Sequence, residues 1–166
     1  MGRAGDDGAA MTGAIVASRE KVTLIGAGGA DRAMLEAAIR HAPRLIAADG
    51  GARTALALGH VPELAIGDFD SIDPATEAAL GPARLRRIAD QDSTDFDKCL
   101  RSVAAPMAIG VGFLGRRLDH ALAALNVLVR RAERRCVLLG EDDLCVVVPP
   151  ALSVALAPGT RVSLFR

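Results

Sequence analysis

The 166-residue chain has no tryptophan and no tyrosine, and only four phenylalanines. Its core must therefore be aliphatic, and the aromatic platforms on which single-stranded nucleic acid stacks are nearly absent. Lysine is scarce too: Lys21 and Lys98 are the only two, and every other cation is an arginine. With a formal net charge of zero, the chain lacks the basic footprint of a DNA- or RNA-binding domain. The cysteines are three, Cys99, Cys136 and Cys145, with no CxxC or Cys/His spacing. That excludes a disulfide framework and a structural zinc site, and fits buried thiols in a reducing cytoplasm. No apolar run reaches the roughly 18 residues of a membrane span. The opening MGRAGDDGAAMTG has neither the basic start nor the apolar centre of a signal peptide, and residues 1–20 read as a flexible leader. There is no Walker A motif.

What is present is an alternation. Hydrophobic residues make up 51% of the chain and charged ones 24%, the balance of a globular protein with one good core. KVTLIGAGG, RLIAAD, ELAIGDFD, the weaker ARLRRIAD and MAIGVGF read as strands. Helices are expected over Asp31–His41 and over GGARTALALGH. Strands apolar on both faces and separated by helices imply a parallel sheet covered on both sides, an α/β, Rossmann-like fold. Phe96, Cys99, Leu100, Val103 and Ala104 repeat at helical spacing behind Thr94, with Thr94 and Asp97 forming a capping-box pattern. Leu118 to Ala132 carries a second clear helix, ending in a basic run that suits a helix C-terminus. The α/β domain thus spans 21–134. From 135 to 166, CVLLG, LCVVVP, LSVALAP and TRVSLF resemble short strands with no helix between them, the start of an antiparallel β unit that breaks off.

The aspartates recur where the strands end: Asp49 after LIAA, Asp68 and Asp70 after LAIG, Asp92 and Asp95 after RIAD, and Asp119 after VGFLG. In a parallel sheet these ends share one edge, where ligands of open α/β folds bind. Asp68 and Asp70 are two apart, so an extended backbone aims both the same way. Six carboxylates facing one crevice call for a cation, and an all-oxygen set suits Mg²⁺ bridging to phosphates. Gly50, Gly51 and Gly67 would let backbone N–H groups approach phosphate oxygens. Each aspartate alone reads equally as an N-cap or turn residue. Gly26-Ala27-Gly28-Gly29 is either a backbone wall for a nucleotide or a plain tight turn, since Asp31 breaks GxGxxG. His120 is either a proton carrier or a solvated helix-start residue.

ADGGA at 48–52, IGDFDSI at 66–72, QDSTDFDKCL at 91–100 and GRRLDH at 115–120 occur in the order and spacing of the thiamine pyrophosphokinase family, which the chain resembles from about Leu24 onward. The resemblance implies transfer of a pyrophosphoryl group from ATP to the hydroxyl of thiamine, giving thiamine diphosphate and AMP. It implies a homodimer, each subunit pairing an N-terminal α/β domain with a C-terminal β-sandwich, and an active site between subunits; the cytoplasm is the compartment expected from the leader and the cysteines. By the same resemblance Asp68, Asp70 and Asp95 would hold Mg²⁺ and the triphosphate, with Asp49 in support. Gln91 and Thr94 would line the crevice, Lys98 would lie near phosphate, and Arg117 and Asp119 would close the far side. Two residues depart from the family pattern: Arg53 stands where Asn is frequent, and Arg116 where a glycine is usual. The chain also ends before the family's late Ser/Gly/Asn-containing segment, so the expectation is a complete site for ATP and metal and an incomplete one for thiamine. The other readings are a pyrophosphokinase for another alcohol such as a hydroxymethyl pterin, a metal-dependent phosphohydrolase, and an inactive nucleotide-binding fragment.

Overall fold

A computed structural model of the chain describes residues 14–70, 72–115 and 117–165. Its framework is a seven-stranded sheet, built from β2 (Val22–Ile25), β3 (Arg44–Ala48), β4 (Leu64–Gly67), β5 (Leu85–Arg87), β7 (Ala108–Val111), β8 (Cys136–Leu139) and β9 (Leu144–Val146). Their spatial order is β5-β4-β3-β2-β7-β8-β9. Every pairing is parallel except the last, β8 with β9. A separate two-residue ladder joins β1 (Val16–Ala17) to β6 (Val103–Ala104). The helices are α1 (Arg32–His41), α2 (Gly51–Ala57), α3 (Pro74–Leu80), α4 (Asp95–Arg101) and α5 (Leu118–Arg130).

Successive strand residues point to opposite faces, and the core divides accordingly. Leu24, Ile46, Ile66 and Leu138 pack on one face with Phe96, Cys99 and Leu100 of α4 and Ala124, Val127 and Leu128 of α5. Ile25, Leu45, Ala47, Ala65 and Val111 pack on the other with Leu35 and Ala38 of α1, Ala52 and Ala55 of α2, and Leu80 of α3. Helices lie on both faces of a mainly parallel sheet, as the uninterrupted apolar strands require. Asp31 caps α1 by accepting from the Met34 N–H at 2.7 Å. α3, which lacks a strong apolar stripe, starts on the Asp73 cap and Pro74.

Five expectations change. The helix opened by Thr94 stops at Arg101, and Val103 and Ala104 leave it to pair with Val16 and Ala17. Both valines are buried in the core, so the ordered unit begins before Lys21. The capping box is half made: the Asp97 N–H bonds Thr94 Oγ1 at 3.2 Å, but the Asp97 carboxylate turns to Arg131. CVLLG, expected to open a separate β unit, is β8 and completes the parallel sheet beside β7, because α5 supplies the crossover a parallel neighbour needs. Beyond β9 the described residues form no further strand, so LSVALAP and TRVSLF do not pair here. Among the described residues no helix is long and apolar enough to cross a membrane.

The strand order reverses between β2 and β7: the chain builds outward from β2 to β5, then returns over the sheet through α4 to β7. α4 packs on β3 and β4. This brings its first residue, Asp95, to the edge where β3 and β4 end.

Candidate functional site

Asp49 follows β3 and extends the ladder, its N–H bonding the Ile66 carbonyl at 2.9 Å. Its backbone is left-handed (φ 44°), which turns the chain from the strand into α2. The side chain then lies across the end of β4, where Oδ1 accepts from the Phe69 N–H at 2.9 Å. A Cβ on Gly67 would stand 2.6 Å from that oxygen, so glycine there makes room for the carboxylate. A Cβ on Gly51 would stand 2.0 Å from the Ile25 carbonyl. One staple therefore joins the ADGGA and GDFD segments.

Phe69 is also left-handed (φ 56°) and buried. This breaks the two-residue alternation assumed for Asp68 and Asp70. Asp68 faces inward and its Oδ2 receives the Lys98 ammonium at 2.6 Å. Asp70 turns outward, with a side chain 71% exposed, 3.9 Å from Arg87 and 3.4 Å from the Gln91 amide. Arg87 reinforces the turn by donating to the Asp68 carbonyl and lying over the Phe69 ring. The carboxylates that converge are those of Asp49, Asp68 and Asp95, whose ligand oxygens all lie within 4.8 Å of one another.

Lys98 sits among them only 2% exposed, 3.4 Å from Asp95 Oδ1 as well as bonded to Asp68. A buried ammonium is tolerated only when paired. Burial pulls its pKa down, but the bonds to Asp68 and Asp95 outweigh that and hold it above the ordinary value. The same bond keeps Asp68 below the usual carboxylate range. Asp95 goes the other way, raised first by burial and then by the Asp49 charge. One ammonium against three carboxylates leaves an excess of negative charge, and hard oxygen donors this close fit a divalent cation such as Mg²⁺.

The group lies in a cleft of about 910 Å³. One wall is backbone. Gly26 and Gly28, after β2, press against Gly112 and Gly115, after β7: the Gly28 N–H bonds the Gly112 carbonyl at 2.9 Å, and a Cβ on Gly26 would meet that oxygen at 2.6 Å. This is the topological switch point of the sheet, where open α/β folds take their ligands. Gly50, Arg53, Gln91, Thr94 and Arg117 also line the cleft, as does His120. Thr94 uses its hydroxyl oxygen to cap α4. Arg117 donates to Asp119 at 2.6 and 3.2 Å, which lowers the Asp119 pKa. Asp119 thus orients Arg117 and is not itself a lining residue. Gly51 lies behind the wall, against β2. Asp92 is exposed, its N–H bonded to Asp90. Six acidic groups in one crevice thereby become three. Arg116 and Ser71 lie outside the described residues.

Asp49, expected among the strand-end carboxylates, joins the acidic group. The spacing did not reveal that Lys98 is an internal counter-charge, a role signalled only by its being one of two lysines in the chain. Cys99 and Cys136 are buried, and burial pushes the Cys136 thiol up to about 12; Cys99 is pushed up likewise. Neither is a nucleophile near neutral pH.

Comparisons with known proteins bear on the family and the fold. The thiamin pyrophosphokinase catalytic domain matches residues 35–139. Thiamine pyrophosphokinase 1 of Arabidopsis thaliana is 32% identical over 136 residues, covering 66% of this chain and 51% of the plant protein. The crystal structure of thiamine pyrophosphokinase from Bacillus subtilis superposes with a TM-score of 0.58 at 25% identity, covering 74% of this chain and 61% of that one. The thiamin pyrophosphokinase of Candida albicans, at 16% identity, shares the fold with a TM-score of 0.59 over 72% of this chain and 57% of its own. The chain spans about half the length of the Arabidopsis relative.

Proposed function

The chain belongs to the thiamin pyrophosphokinase family, and on that premise we propose that the protein transfers the terminal pyrophosphoryl group of ATP to the hydroxyl of thiamine, releasing AMP. The observation that carries this reading is the convergence of Asp49, Asp68 and Asp95 in a cleft walled by glycine backbone at the switch point of the sheet. Mg²⁺ held by Asp68 and Asp95, with Asp49 or the outer Asp70 completing the set, would neutralise the charge of the polyphosphate.

The chain's own residues do the rest. The glycine backbone of 26–29, whose Gly26 and Gly28 N–H groups are spent on Val111 and Gly112, and that of Gly50 let phosphate oxygens approach closely. Lys98 balances the carboxylates and keeps Asp68 ionised. Arg117, held by Asp119, and Arg53 add guanidinium groups along the cleft. Gln91 and Thr94 border the acceptor side. Attack by an alcohol on phosphorus needs in-line positioning and charge stabilisation more than covalent help, and none of the buried thiols offers such help.

The proposal extends to a cytoplasmic homodimer, with residues from about 147 onward contributing to an antiparallel β-sandwich that completes the thiamine site. The alternating apolar residues Val154, Leu156, Val162 and Leu164 support it, being exposed and of strand character. The test is product analysis with ATP, Mg²⁺ and thiamine. AMP and thiamine diphosphate in equal amounts are expected. AMP formation only with a pterin alcohol, or phosphate release with no acceptor, would overturn the assignment.

A further inference from the structure

Outside the cleft, four alternating charges run from one loop to the end of α5. Asp97, only 3% exposed, accepts from Arg131 at 2.9 and 3.1 Å and lies 3.5 Å from Arg101. Arg101 in turn donates to Asp90 Oδ2 at 2.8 Å. Asp90 also accepts from the Asp92 N–H at 2.9 Å and from Ser93 Oγ at 2.7 Å. Its carboxylate thus closes the 90–94 loop on itself and ties that loop to the last turn of α4. The first turn of the same helix begins at Asp95, where Thr94 caps it.

The loop is therefore fastened at both ends of α4, by the Thr94 cap and by the Asp90–Arg101 pair. Between them stand Gln91, Ser93 and Thr94, which line the cleft, whereas Asp90, Asp97 and Arg101 do not. A buried carboxylate shared by two arginines is costly to assemble and rigid once assembled. Arg131 serves Asp97 alone. Only Arg101 passes the fastening on to the loop.

We propose that Arg101 is a positioning residue: by bridging buried Asp97 to Asp90 it sets the 90–94 loop, and through it the Gln91, Ser93 and Thr94 groups that meet the substrate. This rests on the reading of the cleft as a metal and nucleotide site. Arg101→Met releases the loop and leaves Asp97 held by Arg131, whereas Arg131→Met removes a guanidinium of equal charge and leaves the loop moored.

Two readouts on the 166-residue chain separate this from a stabilising role and from the functional reading itself. In the ligand-free protein, amide hydrogen exchange at Asp92, whose N–H bonds Asp90, should accelerate about tenfold in Arg101→Met and Asp90→Asn and stay near wild type in Arg131→Met. By calorimetry, the Kd for Mg²⁺ with a non-hydrolysable ATP analogue should rise about tenfold in the first two and little in the third, with Arg101→Lys in between. Loop exchange in Arg101→Met equal to wild type would overturn the mooring. Equal loss in Arg131→Met and Arg101→Met would reduce the network to general stability and overturn the positioning role. Loop exchange that responds as expected, in a wild-type chain that binds no Mg²⁺-nucleotide, would overturn the reading of the cleft and the positioning role with it.

Discussion

A lysine is among the best buried side chains of this protein, and a phenylalanine among the most exposed. Lys98 lies 2% exposed at the C-terminal edge of the sheet, and Phe165 is 97% exposed beyond its last strand. At the sheet edge, charge is buried because it is answered: one ammonium meets Asp68 and Asp95, and Asp49 is held by the Phe69 N–H. Past β9, apolar residues stand in solvent because nothing among the described residues covers them. Leu152, Val154, Leu156, Val162 and Leu164 have the alternation of strands, but the described residues offer no neighbouring strand to pair with. Burial follows from available partners and not from hydrophobicity alone.

The contrast is broken most strongly by removing the counter-charge. Lys98→Met leaves three carboxylates uncompensated and should cost the metal-free fold about 3 kcal/mol, measured by urea unfolding. Added Mg²⁺ should restore much of it, whereas the wild type should gain less. A loss that Mg²⁺ leaves untouched would mean that Lys98 acts only through packing.

Gly67→Ala drives a methyl against the Asp49 carboxylate and backbone. It should cost about 2 kcal/mol and weaken metal binding together with stability, since the displaced group belongs to the site. Metal titration of the folded variant checks this, and unchanged affinity would remove Asp49 from the set.

Asp95→Asn should act more mildly, and with the opposite sign on stability. The folded Asp95 carboxyl has a raised pKa, so the folded state holds this proton more tightly than the unfolded chain does. The ionised group therefore costs stability above its folded pKa, and that cost vanishes as pH falls to the ordinary range near about 4. The variant should melt slightly higher than wild type at pH 7 without metal, converge with it near pH 4, and bind Mg²⁺ poorly. Asp68, depressed by Lys98, contributes stability above the ordinary carboxylate range, lost as pH falls through its lower folded pKa. Replacing it should show no such gain.

Smallest is the effect at the exposed end. Leu164→Ser with Phe165→Ser should change the stability of this chain by less than about 0.5 kcal/mol, while reducing its self-association in sedimentation. Leu138→Ala, in the fully buried strand next to β7, should cost about 3 kcal/mol in the same denaturant series. Equal costs would mean that the exposed segment packs after all.

How much of this was legible follows the same division. The inner parallel strands are short apolar runs, and local pattern suffices to find them, whereas the edge strand β5 is Leu-Arg-Arg and mostly exposed. Thr94 and Asp31 act as caps because capping is a contact over three residues. The inward turn of Asp68 and the outward turn of Asp70 were not legible, since they hang on a left-handed Phe69 that no spacing announces. α3 hid behind a weak apolar pattern, although the Asp73-Pro74 start was there to be used. The bond from Arg131 to Asp97 spans 34 residues, and only the packing of α5 beside α4 creates it. CVLLG looked like its β neighbours in sequence, and the slot beside β7 decided its place.

If the acidic group at the ends of β3 and β4 binds metal and nucleotide, calorimetric titration of the wild-type chain and Asp68→Asn with Mg²⁺ and a non-hydrolysable ATP analogue must distinguish the two proteins. One site per chain in the wild type, weakened about 100-fold or more in the variant, is the predicted result. Equal affinity in the two proteins, both folded, would contradict it.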